Sequence, residues 1–193
     1  MAGTVARGSA RERLLAAANE LFYEEGVQSV GIDKVIERAG VAKMTLYNTF
    51  GSKEELVQAY LRSRHAAIRD RYARVLQRYD SPRDRLLGVF EAQGQLFAEP
   101  TYHGCAFAAA AAEAKPGSAA ERAAGDYRAW VRALFTDLAG QAGAADPARL
   151  ARQLHLLYDG ASQSARMDHD PSVSAVARSA AETLLDAAHL RPE

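Results

Sequence analysis

The sequence has one cysteine, one tryptophan and six prolines among 193 residues. A lone cysteine, Cys105, excludes an intrachain disulfide and any zinc site built from paired cysteines. No apolar run reaches the roughly 18 residues that cross a bilayer. The segment Met1–Ser9 lacks the apolar stretch of a signal peptide. These absences favour a protein of the reducing cytoplasm that has no membrane partner.

Net charge is absent as well, because 24 basic residues balance 24 acidic ones. Composition alone therefore does not indicate a nucleic-acid binder. The distribution along the chain is more informative, since residues 41–53 contain two lysines and no acid. A local basic patch is sufficient for a DNA contact.

Good helix formers dominate, and long alternating β-branched runs are missing, which predicts an all-α fold. Serine and aspartate caps, glycine stops and prolines at first helical positions divide the chain into about nine helices. The predicted helices cover approximately residues 9–26, 32–39, 42–49, 52–79, 82–100, 102–115, 118–141, 147–166 and 172–190.

The stretch IDKVIERAGVAKMTLYNTFGSK, residues 32–53, contains two short helices that meet at Gly40, as in a helix-turn-helix. The second helix is too short and polar to be buried by itself. A helix fits the major groove of B-DNA, where its side chains reach base edges and phosphates. Lys53 starts the next helix, whose free amides favour an anion. The outward candidates for DNA contact are Lys43, Met44, Thr45, Tyr47 and Asn48, with Lys53 beside them.

Residues 11–61 resemble the DNA-binding domain of the TetR family. The matching elements are Ala17-Ala18-x-x-Leu21-Phe22, Gly26, Ile32 to Val35, Ala39-Gly40-Val41, Thr45-Leu46-Tyr47, Phe50, and Ser52-Lys53-Glu54-Glu55-Leu56. The resemblance implies nine helices and a homodimer formed by the last two. It also implies a C-terminal domain that binds a small-molecule effector. On this basis we expect a flexible tail at 1–8, a three-helix DNA-binding domain at 9–53 and a ligand-binding and dimerisation domain at 54–193.

Two positions depart from the family pattern. Gly31 stands where Thr or Ser is common, and Thr49 stands where His or Tyr is common. The usual residues touch phosphates, so Gly31 and Thr49 are retained as DNA-contact candidates with a backbone amide and a hydroxyl. Tyr47 has an alternative role in packing the helix-turn-helix, and Met44 is open between base contact and packing.

Effector sites in helical bundles are mostly apolar with a few polar groups. Aromatic candidates have core packing as their alternative, whereas polar residues at core-facing positions are better indicators, because burying them unpaired is costly. Gln93, Glu113, His155, Asp159 and Gln163 therefore come first. The full set of candidates is Phe90, Gln93, Phe97, Tyr102, Cys105, Phe107, Glu113, Tyr127, Trp130, His155, Tyr158, Asp159 and Gln163.

Three roles for Cys105 are open: a small buried hydrophobic residue, a redox-sensitive thiol or a catalytic nucleophile. The segment Gly104–Phe107 resembles a segment in one subset of the family, in which an asparagine is expected at the position of Ala109. That departure removes a polar group from any ligand contact carried over from the subset.

The histidines show no metal-ligand spacing, and nothing in the sequence indicates a catalytic centre or a cofactor. The expected function is a transcriptional repressor that leaves a near-palindromic, double-stranded operator when an effector binds. The alternative is a TetR-fold small-molecule-binding protein with weakened or lost DNA binding. Small and apolar stripes on the last two predicted helices fit a two-fold four-helix interface or the core of one monomer.

Overall fold

The structure, a computed structural model, describes residues 8–188. Residues 1–7 of the predicted tail and the predicted end of the last helix at 190 lie outside the described residues. All regular secondary structure within 8–188 is helical, which confirms the all-α prediction. The nine helices there are α1 (Ala10–Glu25), α2 (Ile32–Ala39), α3 (Lys43–Phe50), α4 (Lys53–Leu76), α5 (Pro82–Phe97), α6 (Ala106–Glu113), α7 (Ala119–Gln141), α8 (Pro147–Asp168) and α9 (Val173–Ala188).

The predicted helices are all present, and the largest boundary differences are at the ends of α4, α5 and α6. Helix α4 ends at Leu76 rather than 79, because the amides of Arg78 and Tyr79 bond three residues back and tighten the chain into a turn. Helix α5 stops before Glu99, whose helical conformation the following proline disfavours. Helix α6 starts at Ala106 because Gly104 has a φ of 99°.

The chain divides into two compact units, which the predicted helices alone do not define. The first comprises the described part of Met1–His65 together with Ala106–Ala124, and the second comprises Ala66–Cys105 with the described part of Gly125–Glu193. The predicted boundary between residues 53 and 54 is a different kind of division, because it separates a DNA-binding domain from a ligand-binding domain. That functional division stays a prediction.

In the first unit, α1 packs its apolar stripe against α2, α3 and the start of α4. The Ser9 hydroxyl accepts from the amide of Glu12, and the Glu12 carboxylate accepts from the amide of Ser9, so the predicted capping box is present. Leu46 of α3 is completely buried, and burial of a leucine side chain stabilises a fold by about 1.5–3 kcal/mol. The buried side chains that anchor the other helices are Leu14, Leu21, Phe22, Val35, Leu56 and Tyr60.

In the second unit, α5, α8 and α9 form the main helix packing. Gly88 on α5 lets the ring of Tyr79 approach closely, since a Cβ there would lie 2.6 Å from that ring. The core side chains are Leu86, Leu87, Phe90, Phe135, Leu150, Leu154, Ala181 and Leu185. No helix within 8–188 is long and apolar enough to cross a membrane. Over the same range, no group of three or more His, Cys, Asp and Glu side chains is placed to hold a metal ion.

Candidate functional site

The turn between α2 and α3 fixes the orientation of α3. Gly40 has φ 63° and ψ 45°, a left-handed conformation that costs a side-chain-bearing residue more than glycine. Its amide donates to carbonyl oxygens of Ile36 and Glu37, and the Val41 amide donates to Ile36 O at 3.2 Å. No atom lies within 4 Å of a Cβ built on Gly40. The glycine is therefore required by the backbone conformation and not by crowding.

Helix α3 buries one residue, Leu46, and presents most of its remaining surface outward. Met44 is 67% exposed and Tyr47 41% exposed, while Lys43 and Asn48 are exposed as well. Met44 is therefore mostly outside the core, whereas Tyr47 divides its surface between the packed unit and the outside. The result is a short helix with a cation, an amide, a phenol and a thioether on one anchored scaffold, which are suitable partners for base edges and phosphates.

Two lysines flank this surface in different environments. Lys43 Nζ lies 3.0 Å from Asp33 Oδ1 in an exposed ion pair, and the hydrogen bond to that carboxylate raises the pKa of Lys43. Lys53 is partly buried, and desolvation lowers its pKa. Its Nζ lies 6.0 Å from the centre of the Phe22 ring, within cation–π range. The Lys53 ammonium is thus positioned by the core of the first unit.

Sequence reasoning missed Arg11, whose guanidinium lies beside the last residue of α3. The guanidinium carbon lies 5.4 Å from the centre of the Phe50 ring, at the last residue of α3. Arg11 is exposed on the first turn of α1. The only sequence signal was an arginine at the start of the resembling segment, which gave no indication that the fold brings it to α3.

In the second unit, the hydroxyl groups of three tyrosines are linked by hydrogen bonds. We call these residues, Tyr72, Tyr127 and Tyr158, the tyrosine relay. The hydroxyl of Tyr158 lies 2.8 Å from that of Tyr72 and 2.6 Å from that of Tyr127. Burial is the largest cause that raises the pKa of each phenol well above its ordinary value. All three phenols are therefore neutral at physiological pH. The Trp130 ring lies 5.7 Å from Tyr72 and 5.9 Å from Tyr127.

Gln93 on α5 is buried against α8. Its Nε2 donates to the carbonyl oxygen of Tyr158 at 2.8 Å and to Oγ of Ser162 at 2.9 Å. A carbonyl oxygen only accepts, so the amide nitrogen must face α8, and this fixes the orientation of the side chain. The other end, Oε1, is buried and accepts no hydrogen bond within the described part of the chain.

His155 and Asp159 lie one turn apart on α8, next to the relay. His155 is buried, and its Nε2 is 3.7 Å from Asp159 Oδ1, too long for a strong pair. Arg128 holds the same carboxylate at 2.7 Å. Burial lowers the pKa of His155, and Arg128 and Arg132 add to that effect against the attraction of Asp159. The imidazole is therefore favoured in its neutral form.

Two further candidates, Phe107 and Glu113, lie in the first unit. The ring of Phe107 contacts that of His65, with centroids 6.1 Å apart. Glu113 Oε2 accepts from the amide of Gln28 at 2.8 Å, in the loop between α1 and α2. Glu54 makes a similar link, since its Oε1 accepts from the amide of Ala119 at 2.9 Å. Both carboxylates therefore hold α6 and the start of α7 to other residues of the first unit.

Comparisons with known proteins agree with this geometry. The family model for bacterial regulatory proteins of the tetR family matches residues 14–60. A TetR-family transcriptional regulator from Streptomyces coelicolor superimposes with a TM-score of 0.89 and 32% identity, over 95% of this chain and 91% of that one. The chain belongs to the TetR family.

Curated relatives of this TetR-family chain align with part of it. The transcriptional activator FasR of Mycolicibacterium smegmatis is 36% identical over 86 residues, which are 45% of this chain and 39% of FasR. The transcriptional repressor KstR2 of the same species is 32% identical over 84 residues, which are 44% of this chain and 41% of KstR2. The matches thus span about two fifths of each relative, and the two relatives regulate in opposite directions.

The candidates of this TetR-family regulator fall into three groups. Met44, Tyr47 and Lys43 share the exposed face of α3, while Thr49 turns its hydroxyl to the carbonyl oxygen of Thr45 at 2.6 Å. Gly31 is the N-cap residue of α2 and is exposed. The predicted ligand candidates in the second unit are Phe90, Gln93, Phe97, Tyr102, Cys105, Tyr127, Trp130, His155, Tyr158, Asp159 and Gln163.

The expectation that five polar candidates face the core is met in part. Gln93 and His155 are buried, and Asp159 is half-buried. Glu113 and Gln163 are exposed, so the reason for proposing them does not apply, and Glu113 instead contacts the loop between α1 and α2 within the first unit. Cys105 is partly exposed. Which of these residues bind an effector stays a prediction.

Substituting Asp33→Asn is expected to strengthen DNA binding about two- to fivefold at low salt. The substitution releases Lys43 from its ion pair and removes a negative charge that would repel the phosphates of DNA. Fluorescence anisotropy of labelled duplex DNA measures the effect, which should fade at high salt. Glu37→Gln, an exposed change on the same helix, is the matched control and should have little effect. Unchanged affinity in Asp33→Asn at low salt would show that Lys43 does not face phosphates.

His155 is expected to make folding stability depend on pH. Its folded pKa is below the ordinary value of 6.5. As pH falls through 6.5, the unfolded chain takes up a proton that the native imidazole resists, so the free energy of unfolding decreases until the folded pKa is reached. Urea denaturation between about pH 5 and pH 8 tests this. His155→Gln, which has no titratable imidazole at this position, should flatten the profile.

Proposed function

We propose that the chain is a dimeric transcriptional repressor that binds a near-palindromic operator and leaves it when a small molecule binds the second unit. The observation that carries this proposal is the exposed face of α3, whose side chains are anchored by a single buried residue, Leu46. The exposed side chains of this face contribute little to the core of the unit, and their polar and apolar groups suit contacts in a DNA groove. A regulator bound to chromosomal DNA acts in the cytoplasm of a bacterium.

Dimer formation is supported by apolar side chains exposed on α8 and α9. Leu156 is 72% exposed on α8, and Val176 is 69% exposed on α9. Gly160 on α8 has no atom within 4 Å of a built Cβ, so it offers a flat place for a second helix. Two such helices from each copy would form a four-helix interface. Two operator half-sites about one helical turn apart also require two DNA-binding domains that are linked to each other.

Effector control is supported by the path of the chain between the two units. Tyr102, in the second unit, donates from its hydroxyl to the carbonyl oxygen of Ser162 at 3.0 Å. Eleven residues later, Glu113 holds the amide of Gln28 in the first unit. We propose that an effector displaces the segment after Tyr102 and thereby weakens the contact between Glu113 and Gln28. The two DNA-binding domains of the dimer then adopt a spacing that no longer fits the operator. Effector and operator then reduce each other's affinity by the same factor.

A second candidate function is a small-molecule-binding protein with weak DNA affinity. Thr49 favours it, because its hydroxyl proton is used within α3, and Gly31 adds no side chain to a phosphate contact. The effector site would then carry the whole function.

Selection of bound duplexes from a random double-stranded DNA library separates the two. The repressor proposal predicts enrichment of a near-palindromic sequence whose half-sites lie about one helical turn, roughly 34 Å, apart. Retention of unrelated sequences alone, or of none at low salt, would favour the second candidate. Transcription from the enriched site, with and without the protein, then separates repression from activation.

A further inference from the structure

We infer that the second unit binds a neutral aromatic molecule that carries a hydroxyl or N–H group, and that this group donates a hydrogen bond to Gln93 Oε1. This inference rests on the proposed function, since the molecule would be the effector. It assigns the ligand a chemical class, which the comparisons do not. The site consists of Gln93, the tyrosine relay and the ring of Trp130.

The amide of Gln93 supplies the first argument. Gln93 is 1% exposed, and its nitrogen already donates to Tyr158 O and Ser162 Oγ. Its Oε1 has no donor among residues 8–188. Leaving a buried acceptor unpaired destabilises a fold, and native structures rarely keep one without a partner such as a ligand or an ordered water. The missing partner must be a donor, which selects a ligand with O–H or N–H.

The relay supplies the second argument, because it restricts the charge of the ligand. Its three phenols are buried and neutral. Arg71 and Asp159, two of the groups that act on them, are paired: Arg71 binds Glu99, and Asp159 binds Arg128. The Cys105 thiol acts on all three phenols and raises their pKa further. An ionised ligand would lose its hydration and find no unpaired opposite charge in either ion pair, at a large cost. The site therefore favours a neutral molecule.

The rings around the amide supply the third argument. Phe90 and Phe97 lie three and four residues from Gln93, on the same side of α5. Phe90 contacts Phe135 at 5.7 Å between centroids, and Phe97 contacts Tyr102 at 5.0 Å. Trp130 is partly exposed and touches two members of the relay. Such rings accept a flat aromatic partner in offset or edge-to-face contact.

Matched probes test the inference with the full-length protein. Each set keeps one ring system and changes one group: 2-naphthol, 2-methoxynaphthalene and 2-naphthoate, with corresponding one-ring and three-ring sets. Trp130 is the only tryptophan and lies in the site, so quenching of its fluorescence reports binding. In at least one set we expect the phenol to bind about tenfold more tightly than its methyl ether, and the carboxylate not to bind.

Gln93→Leu removes the acceptor while keeping a similar size. The phenol and the ether should then bind with equal affinity, because the lost contact affects only the donor. Gln95→Leu, an exposed change on the same helix, should preserve the tenfold difference. If Gln93→Leu fails to fold, the comparison of probes on the wild type still decides the question.

Three results would overturn the inference. They are equal binding of phenol and ether to the wild type, preferred binding of the carboxylate, and no binding of any set at millimolar concentration. If Gln93→Leu still prefers the phenol to the ether, another group accepts the hydrogen bond and the inference about Gln93 is wrong. The partner of Oε1 in the wild type would then be a water molecule. Operator affinity measured on the same samples separates the two proposals. A phenol that binds without changing operator affinity leaves the site standing and removes its role as effector site.

Discussion

Val176→Asp is expected to separate the proposed dimer into monomers and to weaken operator binding by about two orders of magnitude or more, because each monomer would hold only one half-site. Val176 is exposed on α9, so the substitution leaves the core of the monomer intact. A charge buried without a partner between two copies would carry a large desolvation cost. Sedimentation velocity measures the association state, and anisotropy measures the affinity.

The control for this prediction is Ala133→Asp, which adds the same charge at an exposed position of α7. It should remain dimeric and keep its operator affinity. Unfolding by urea should show the same free energy in Ala133→Asp and in the wild type. A dimeric Val176→Asp protein with unchanged operator affinity would move the interface away from α9.

Tyr47→Ala is expected to weaken specific operator binding about 10- to 100-fold, which corresponds to about 1–3 kcal/mol. Tyr47 is 41% exposed on α3, and the buried anchor of that helix is Leu46. The loss should therefore come from contacts with DNA and leave the free energy of unfolding nearly unchanged. Anisotropy on the enriched operator and urea denaturation measure the two quantities.

Tyr47→Phe is the matched variant, since it keeps the ring and removes the hydroxyl. If the hydroxyl contacts a phosphate, Tyr47→Phe should lose most of the affinity that Tyr47→Ala loses. If the ring makes the main contact, Tyr47→Phe should bind like the wild type. Full operator affinity in Tyr47→Ala would remove this residue from the interface.

The helices were predictable because their signals are local. Ser9 and Glu12 are three residues apart, and the capping box they form is decided within one turn. Gly40 marks the turn of the helix-turn-helix for an equally local reason, its left-handed backbone. Helix ends were less accurate where the chain tightens gradually, as it does after Leu76.

The proposed effector site was predictable only in part, because its geometry depends on residues far apart in sequence. Tyr127 and Tyr158 were candidates, whereas Tyr72 was not among them. Nothing local indicates that the three hydroxyls meet. Glu113 was expected near a ligand because it was taken as a polar residue at a core-facing position. The position of that helix in the first unit was not encoded in any local pattern.

Arg11 illustrates the same limit on the DNA side. It lies 39 residues before Phe50, and only the packing of α1 against α3 brings the two together. The resemblance to the TetR family supplied the register of the helix-turn-helix. Contacts specific to this chain, such as the Arg11–Phe50 and Lys43–Asp33 pairs, required the structure.

Specific recognition of duplex DNA by α3 is the central claim, and one titration tests it most directly. The enriched operator and a scrambled duplex of equal length and base composition are titrated with wild-type protein across a salt series. The claim predicts at least about a thousandfold preference for the operator, together with an affinity that falls steeply as salt rises. Equal affinity for the two duplexes at every salt concentration would contradict it.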